Sequence, residues 1–385
     1  MAGDGFIDEA LARRDAQGLR RRLRWIAGEQ DRWVDVDGVR ALLLCSNNYL
    51  GLANHPALRE AAERALRDFG VGAGSSRLVS GSMSAHRQLE EALAELKQAE
   101  AALLFTSGYQ ANIGAIGALV GRDDEVFSDE LNHASLIDGC RLSRARISVF
   151  PHNDMDRLEA LLAASTARRR LIVTDSVFSM DGDEAPLAAI CDLADRFGAM
   201  TLVDEAHATG VVGPHGSGVV GREGLQARVT VQMGTLGKAL GCFGAFVAGR
   251  RNLVDLLINE ARSFVFTTAL PPAVVAAASA AVDLVRREDG RRERLAANAA
   301  RLHRGLLDLG CDVPHCSHIL PVIIGDPEET MRVCERLLEH GVFAQGIRPP
   351  TVPEGTSRLR VTLMATHTDE DIGAALAAFA AAVRG

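Results

Sequence analysis

From residue 101 to residue 248 the chain alternates short apolar runs rich in β-formers with stretches of helical spacing, and few architectures accommodate that order. The clearest strands are 101–105, 125–128, 146–150, 171–174, 200–203 and 244–248. Helical stretches fall at 86–97, 109–120, 155–164 and 187–197. Strands separated by a helix pair in parallel, because only a long crossover returns the chain to the same edge. The expectation is an α/β fold, a mostly parallel sheet flanked by helices on both faces. Such sheets bind ligands beyond the carboxyl ends of their strands, so the polar residues that follow each strand are the first candidates for a site.

The flanking regions read differently. Ile7, Leu11, Leu19 and Leu23 predict an amphipathic helix over the first 25 or so residues, and Asp37-Gly38 predicts the turn of a hairpin across 34–44. Beyond about residue 285 come a helix (291–307), a strand (319–324), a helix (328–340) and a strand (358–362). A last helix opens at Thr368 with Asp369, Glu370 and Asp371, a good N-cap and first turn. A chain of 385 residues exceeds what one core usually serves. Three segments are expected: an N-terminal helix and hairpin at 1–45, a large α/β domain at 46–285, and a smaller α+β domain at 286–385.

Charge and composition narrow the function. A net charge of −8 leaves no electrostatic footprint for nucleic acid. No apolar run reaches the roughly 18 residues of a membrane span. The Arg-rich start carries Asp4, Asp8, Glu9 and Asp15, which transit peptides avoid, so a cytoplasmic protein is expected. Seven cysteines without a CxxC spacing do not make a disulfide framework. Cys311, His315, Cys316 and His318 lack the paired spacing of a zinc site, and no metal is expected.

Four segments at strand ends are unusually polar. In the run from Thr106 to Asn112, Gly108 permits a tight turn into a helix whose free N–H groups suit an anion, although an ordinary turn reads the same way. Asp204 ends a buried strand, where a lone carboxylate is costly unless a cation such as a protonated pyridine nitrogen meets it. His207 would reach the same place; the alternative is a helix-capping aspartate with a surface histidine. The run from Gly234 to Gly241 looks like a phosphate loop, but a Walker A motif needs four residues between Gly and Gly-Lys, and Ala239 replaces its hydroxyl. Lys238 in that Gly-rich apolar turn fits instead a desolvated amine suited to imine formation, with Thr235 able to bond a phosphate. His133, at the fourth strand end, would alone be structural and gains weight from the other three.

The motifs SGYQAN, DELNHAS, TDSVFSMDGDEAPL, VDEAHATG and TLGK, in this order and flanked by NNYLGL and RLR, resemble the α-oxoamine synthases across essentially the whole chain. These are fold-type-I transferases of the aspartate-aminotransferase-like architecture, dependent on pyridoxal 5′-phosphate (PLP). The resemblance implies Lys238 as the Schiff-base lysine, Asp204 on the pyridine nitrogen, His207 on the ring hydroxyl and His133 stacked on the ring. It places Gly108, Tyr109 and Thr235 at the phosphate and Ser179 beside the ring. The partner subunit's Thr268 would join the phosphate, which implies an obligate homodimer with a shared active site. Asn47 and Arg348 would bind the amino-acid carboxylate. The implied reaction removes the Cα proton to Lys238, joins the carbanion to an acyl thioester, and releases coenzyme A and carbon dioxide.

Family members differ in amino acid and acyl group. The run Gly346-Ile347-Arg348-Pro349-Pro350-Thr351-Val352-Pro353 is similar to the biotin-pathway branch, which joins L-alanine to a pimeloyl thioester. That branch would set Arg20 and Thr351 near the acyl substrate, although the arginine run at 20–24 also reads as a solvated helix face. Glycine-using branches are the alternative. A regulatory subunit without cofactor is another, against which the intact Lys238, Asp204 and His207 stand. Asn48, where an aspartate is common, and the bulky Cys242-Phe243 depart from the family pattern.

Overall fold

Seven strands form the central sheet: β1 (Ala101–Phe105), β2 (Glu125–Asp129), β3 (Arg146–Phe150), β4 (Arg170–Asp175), β5 (Met200–Asp204), β6 (Val231–Thr235) and β7 (Ala245–Gly249). They lie in the order β1-β7-β6-β5-β4-β2-β3. All pairs from β6 to β3 are parallel, and only β7 runs against both its neighbours. The structure is a computed structural model that describes residues 4–384.

Every residue of β1, β2, β6 and β7 is buried, the signature of a sheet covered on both faces. Alternate residues (Leu103, Val126, Val173, Val231 and Val247 among them) pack with Ala115, Ile116, Leu136 and Leu257 from three helices into one core. Each buried Val, Leu or Ile side chain among them withdraws enough apolar surface to contribute about 1.5–3 kcal/mol. The edge strand β3 is the exception, with Ile147 and Val149 exposed.

β6 was not among the expected strands, because Gln232, Gly234 and Thr235 break its apolar run. Gly234 is required by close packing: a Cβ there would stand 2.5 Å from the Phe246 ring of β7. The helix Ala134–Ser143 was likewise not among the expected stretches; the strands and helices that were named in this region fall within a residue or two of their expected bounds.

The chain divides into two compact units. One holds residues 47–179 and 183–293, including the seven-stranded sheet; the other holds the described residues of 1–46, 180–182 and 294–385. In the second, the hairpin forms as its turn predicts, Val36 opposite Val39 with Asp37 and Gly38 both at positive φ. The two-residue strand Val342–Phe343 pairs in parallel with Leu42 and Leu43, which is why residues 1–46 belong with the C-terminal third. A three-stranded antiparallel sheet (Ile319–Gly325, Ser357–Thr362, Gln345–Ile347) and the helices Pro327–Glu339 and Asp369–Arg384 complete it. The last helix starts as expected: Thr368 and Asp371 bond each other's backbone N–H.

The N-terminal helix is a correction. It spans Gly5–Ala16 and buries no residue. Gly18, at φ 63°, turns the chain before Leu19 and Leu23 can join the apolar stripe, and Leu23 is 79% exposed. Among the described residues no helix is long and apolar enough to cross a membrane.

Candidate active site

The ends of β1, β2, β4, β5 and β6 lie along one edge of the sheet, and the loops that follow them carry the candidate residues. The turn after β6 is pinned by its own backbone. Thr235 Oγ1 donates to the Gly244 carbonyl (3.1 Å) and accepts from Gly237 N–H (3.2 Å), and Gly241 N–H closes onto the Lys238 carbonyl (2.9 Å). Gly241 has φ 65°, and a Cβ there would stand 2.5 Å from the Ala53 nitrogen. Lys238 projects from this fixed turn, half-buried, with Nζ 2.7 Å from His207 Nε2.

His207 is buried, and its Nδ1 lies 2.7 Å from the hydroxyl of Tyr49, a fully buried side chain. That hydroxyl donates to Asn47 Oδ1 at 3.0 Å. Lys238, His207, Tyr49 and Asn47 therefore form one chain of polar contacts.

Asp204 ends β5 and is 3% exposed. Its carboxylate accepts from Asn112 Nδ2 and from the Ala206 N–H, both at 2.8 Å. Asn112 also donates to Ser135 Oγ (2.8 Å), whose own partner is His133 Nδ1 (2.8 Å). Beside Asp204 in register, Asp175 ends β4 and accepts from the His133 N–H (2.8 Å). Burial, and then the neighbouring Asp204 charge, push the Asp175 carboxyl well above its ordinary range, while the His133 N–H and Lys238 oppose this.

The structure thus gathers Lys238, His207 and Asn47 into one chain of contacts, and Asp204 and His133 into another. Ser179 follows on the loop after β4, half-buried. Gly108 opens the helix Gly108–Leu119, capped by Ser107, whose hydroxyl accepts from Gln110 N–H. The Tyr109 phenol is bonded to Asp138 (2.8 Å), so what Tyr109 offers an anion is its backbone N–H. Thr235 already spends its hydroxyl inside the lysine turn. Thr268 is exposed, bridged to Ser76.

Arg20, Arg348 and Thr351 belong to the other unit. There they line a groove of about 990 Å3 with Arg21, Arg22 and Arg24. Arg20 pairs with Asp15 (2.6 Å), Arg21 reaches Thr351 Oγ1 (3.3 Å), and Arg348 bonds the Gly18 carbonyl.

Tyr49, Asn112 and Asp175 were given no role from sequence, although each stands inside a quoted motif. For Asn112 the signal was a polar residue among apolar neighbours; Tyr49 and Asp175 stand beside Asn48 and between Thr174 and Ser176, and nothing local marked them. Asn112 lies between Ala111 and Ala115, all three fully buried.

These residues fit PLP. A buried Asp204 that accepts only amide N–H groups, with no ion pair among the described residues, suits a protonated pyridine nitrogen. A half-buried amine stands nearby in the contact chain of His207, and a helix N-terminus suits a phosphate. Sheet order, lysine turn and buried aspartate together define a fold-type-I transferase. The chain belongs to the aminotransferase class I and II family, whose model matches residues 39–379.

Within it, the chain is 56% identical over 381 residues to an 8-amino-7-oxononanoate synthase of Geobacter metallireducens, covering 98% of this chain and 97% of that protein. A solved serine palmitoyltransferase carrying PLP superposes with a TM-score of 0.94 at 33% identity, over 99% of this chain and 97% of the other. The crystal structure of an 8-amino-7-oxononanoate synthase from Francisella tularensis superposes with a TM-score of 0.77 at 26% identity, over 89% and 98%.

Proposed function

We propose that the protein is a cytoplasmic, homodimeric, PLP-dependent acyltransferase that condenses L-alanine with a pimeloyl thioester. The products are 8-amino-7-oxononanoate, carbon dioxide and the free thiol, a step of biotin synthesis. The observation that carries the chemistry is the Lys238 amine, 2.7 Å from an imidazole, in the same loop cluster as a buried aspartate that has no ion pair among the described residues. The full-length likeness to 8-amino-7-oxononanoate synthases carries the substrate.

When bound, PLP supplies an electron sink for the pair left on the amino acid's α-carbon. The chain's residues do the rest. Lys238 Nζ takes the α-proton, and His207 Nε2 accepts a hydrogen bond from the resulting ammonium. Asp204, held by Asn112 and the Ala206 N–H, keeps a proton on the basic nitrogen it meets. The helix opening at Gly108 and Tyr109 holds the phosphate, and the partner subunit's Thr268 completes that site. Asn112 and Ser135 orient His133, which covers the ring, and Ser179 lies beside it. In the arginine groove, Arg20 and Thr351 meet the acyl donor and Arg348 the amino-acid carboxylate.

The test is an absorbance titration of the purified holoenzyme with L-alanine, glycine and L-serine, each followed by pimeloyl-CoA. The expected result is saturable change with alanine and product only from that pair. A preference for glycine or serine would overturn the substrate. A protein that shows no chromophore with added PLP would overturn the cofactor.

A further inference from the structure

We propose that Tyr49 is a positioning residue that fixes the tautomer of His207, so that an unprotonated Nε2 faces the free Lys238 amine. The argument is a count of protons. A phenol has one, and that of Tyr49 lies on the contact to Asn47 Oδ1 at 3.0 Å. The oxygen that meets His207 Nδ1 at 2.7 Å therefore accepts, and Nδ1 carries the hydrogen. A neutral imidazole protonated on Nδ1 has its lone pair on Nε2, the atom 2.7 Å from Lys238 Nζ.

Each piece is held so that the count cannot easily change. Tyr49 is fully buried, and the Tyr49 N–H bonds the Asn47 carbonyl at 2.8 Å. The Asn48 side chain caps the same turn through the N–H groups of Leu52 and Ala53 (2.9 and 3.2 Å). Asn47 thus selects the direction of the Tyr49 proton, and Tyr49 passes that selection to His207. The opposite tautomer would set a ring N–H against the lysine's own N–H groups and remove the acceptor for its proton. The role of His207 beside Lys238 rests on the function proposed above; the tautomer itself does not.

The experiment uses apo and holo protein labelled with 15N-histidine, with the His207 signals assigned by their loss in His207→Gln. In the wild-type apo protein His207 is expected protonated on Nδ1 and bare on Nε2. Tyr49→Phe, which keeps the ring and removes the oxygen, is expected to give a mixture of tautomers. Asn47→Ala frees the phenol proton to turn toward Nδ1 and is expected to move His207 to the Nε2-protonated form. In the holoenzyme, Tyr49→Phe is expected to lower kcat about tenfold or more while KM for L-alanine holds, as for a weakened proton acceptor. A wild-type His207 protonated on Nε2, or a tautomer unmoved in both variants, would overturn the inference, and the wild-type reading decides even where a variant fails to fold. Failure to form a chromophore with PLP would strike the proposed function and leave the tautomer result standing.

Discussion

His152 offers a test in which the structure sets both sign and size. Its ring lies between two carboxylates, Nδ1 3.0 Å from Asp129 and Nε2 2.7 Å from Asp183, edge-on to Phe178. Burial alone would disfavour the imidazolium. The hydrogen bonds to Asp129 and Asp183, and then their charges, outweigh it and push the pKa from 6.5 up to about 10. A raised pKa stabilises the fold fully below pH 6.5, and the contribution is lost as pH rises through about 10. Each pH unit of displacement corresponds to about 1.4 kcal/mol, so the pair contributes at most about 5 kcal/mol at low pH. Between pH 7 and pH 9 about 2.5 kcal/mol of that disappears, and about half as much once solvent screening of a ring still 23% exposed is allowed for. For 385 residues this is a change of about 1.5–3 °C in melting temperature. The assay compares wild type with His152→Gln at pH 7 and pH 9 at one ionic strength. The wild type's advantage is expected to shrink by that amount as pH rises. An advantage that stays constant or widens would refute the charged bridge.

Three further outcomes follow from the geometry. Lys97→Met leaves Glu205 buried without the 2.6 Å cation that now meets it, and is expected to cost about 3–5 kcal/mol in urea unfolding; a loss below about 1 kcal/mol would mean the pair is not doing this. Lys238→Ala is expected to keep its fold and melting behaviour while product formation falls about 100- to 10,000-fold, and borohydride labelling of any other lysine in the wild type would contradict its role. Asp204→Asn keeps the bonding shape but removes the charge, so turnover is expected to fall about 100- to 1000-fold, with weaker retention of PLP on dialysis; activity within about threefold of wild type would refute the pairing.

Most of the large unit was legible because its elements are locally encoded. A run such as Ala101 to Phe105 followed by Ser107-Gly108 announces both a buried strand and the cap of the next helix. Sequence lost sight of β6, where burial of Gln232 and the contact of Gly234 with Phe246 are tertiary facts. It also could not show that residues 1–46 join the C-terminal third, since the link is two residues, Val342 and Phe343, with no periodicity to read. At the site, Lys238, Asp204, His207 and His133 could be named from residue type and place. Tyr49 could not, because its importance lies in one hydroxyl reaching His207, 158 positions away. Arg348 was expected on the amino-acid carboxylate, and only the structure sets it in one groove with Arg20 and Thr351.

The fixed turn after β6 has a bearing on timing. With Thr235, Gly237 and Gly241 bonded in place, the Cα of Lys238 is anchored and only the side chain's own torsions are free to carry the amine. Rotamer changes of a side chain are in general faster than rearrangements of a backbone loop. Moving the amine between its partners therefore asks for no rearrangement of this backbone turn.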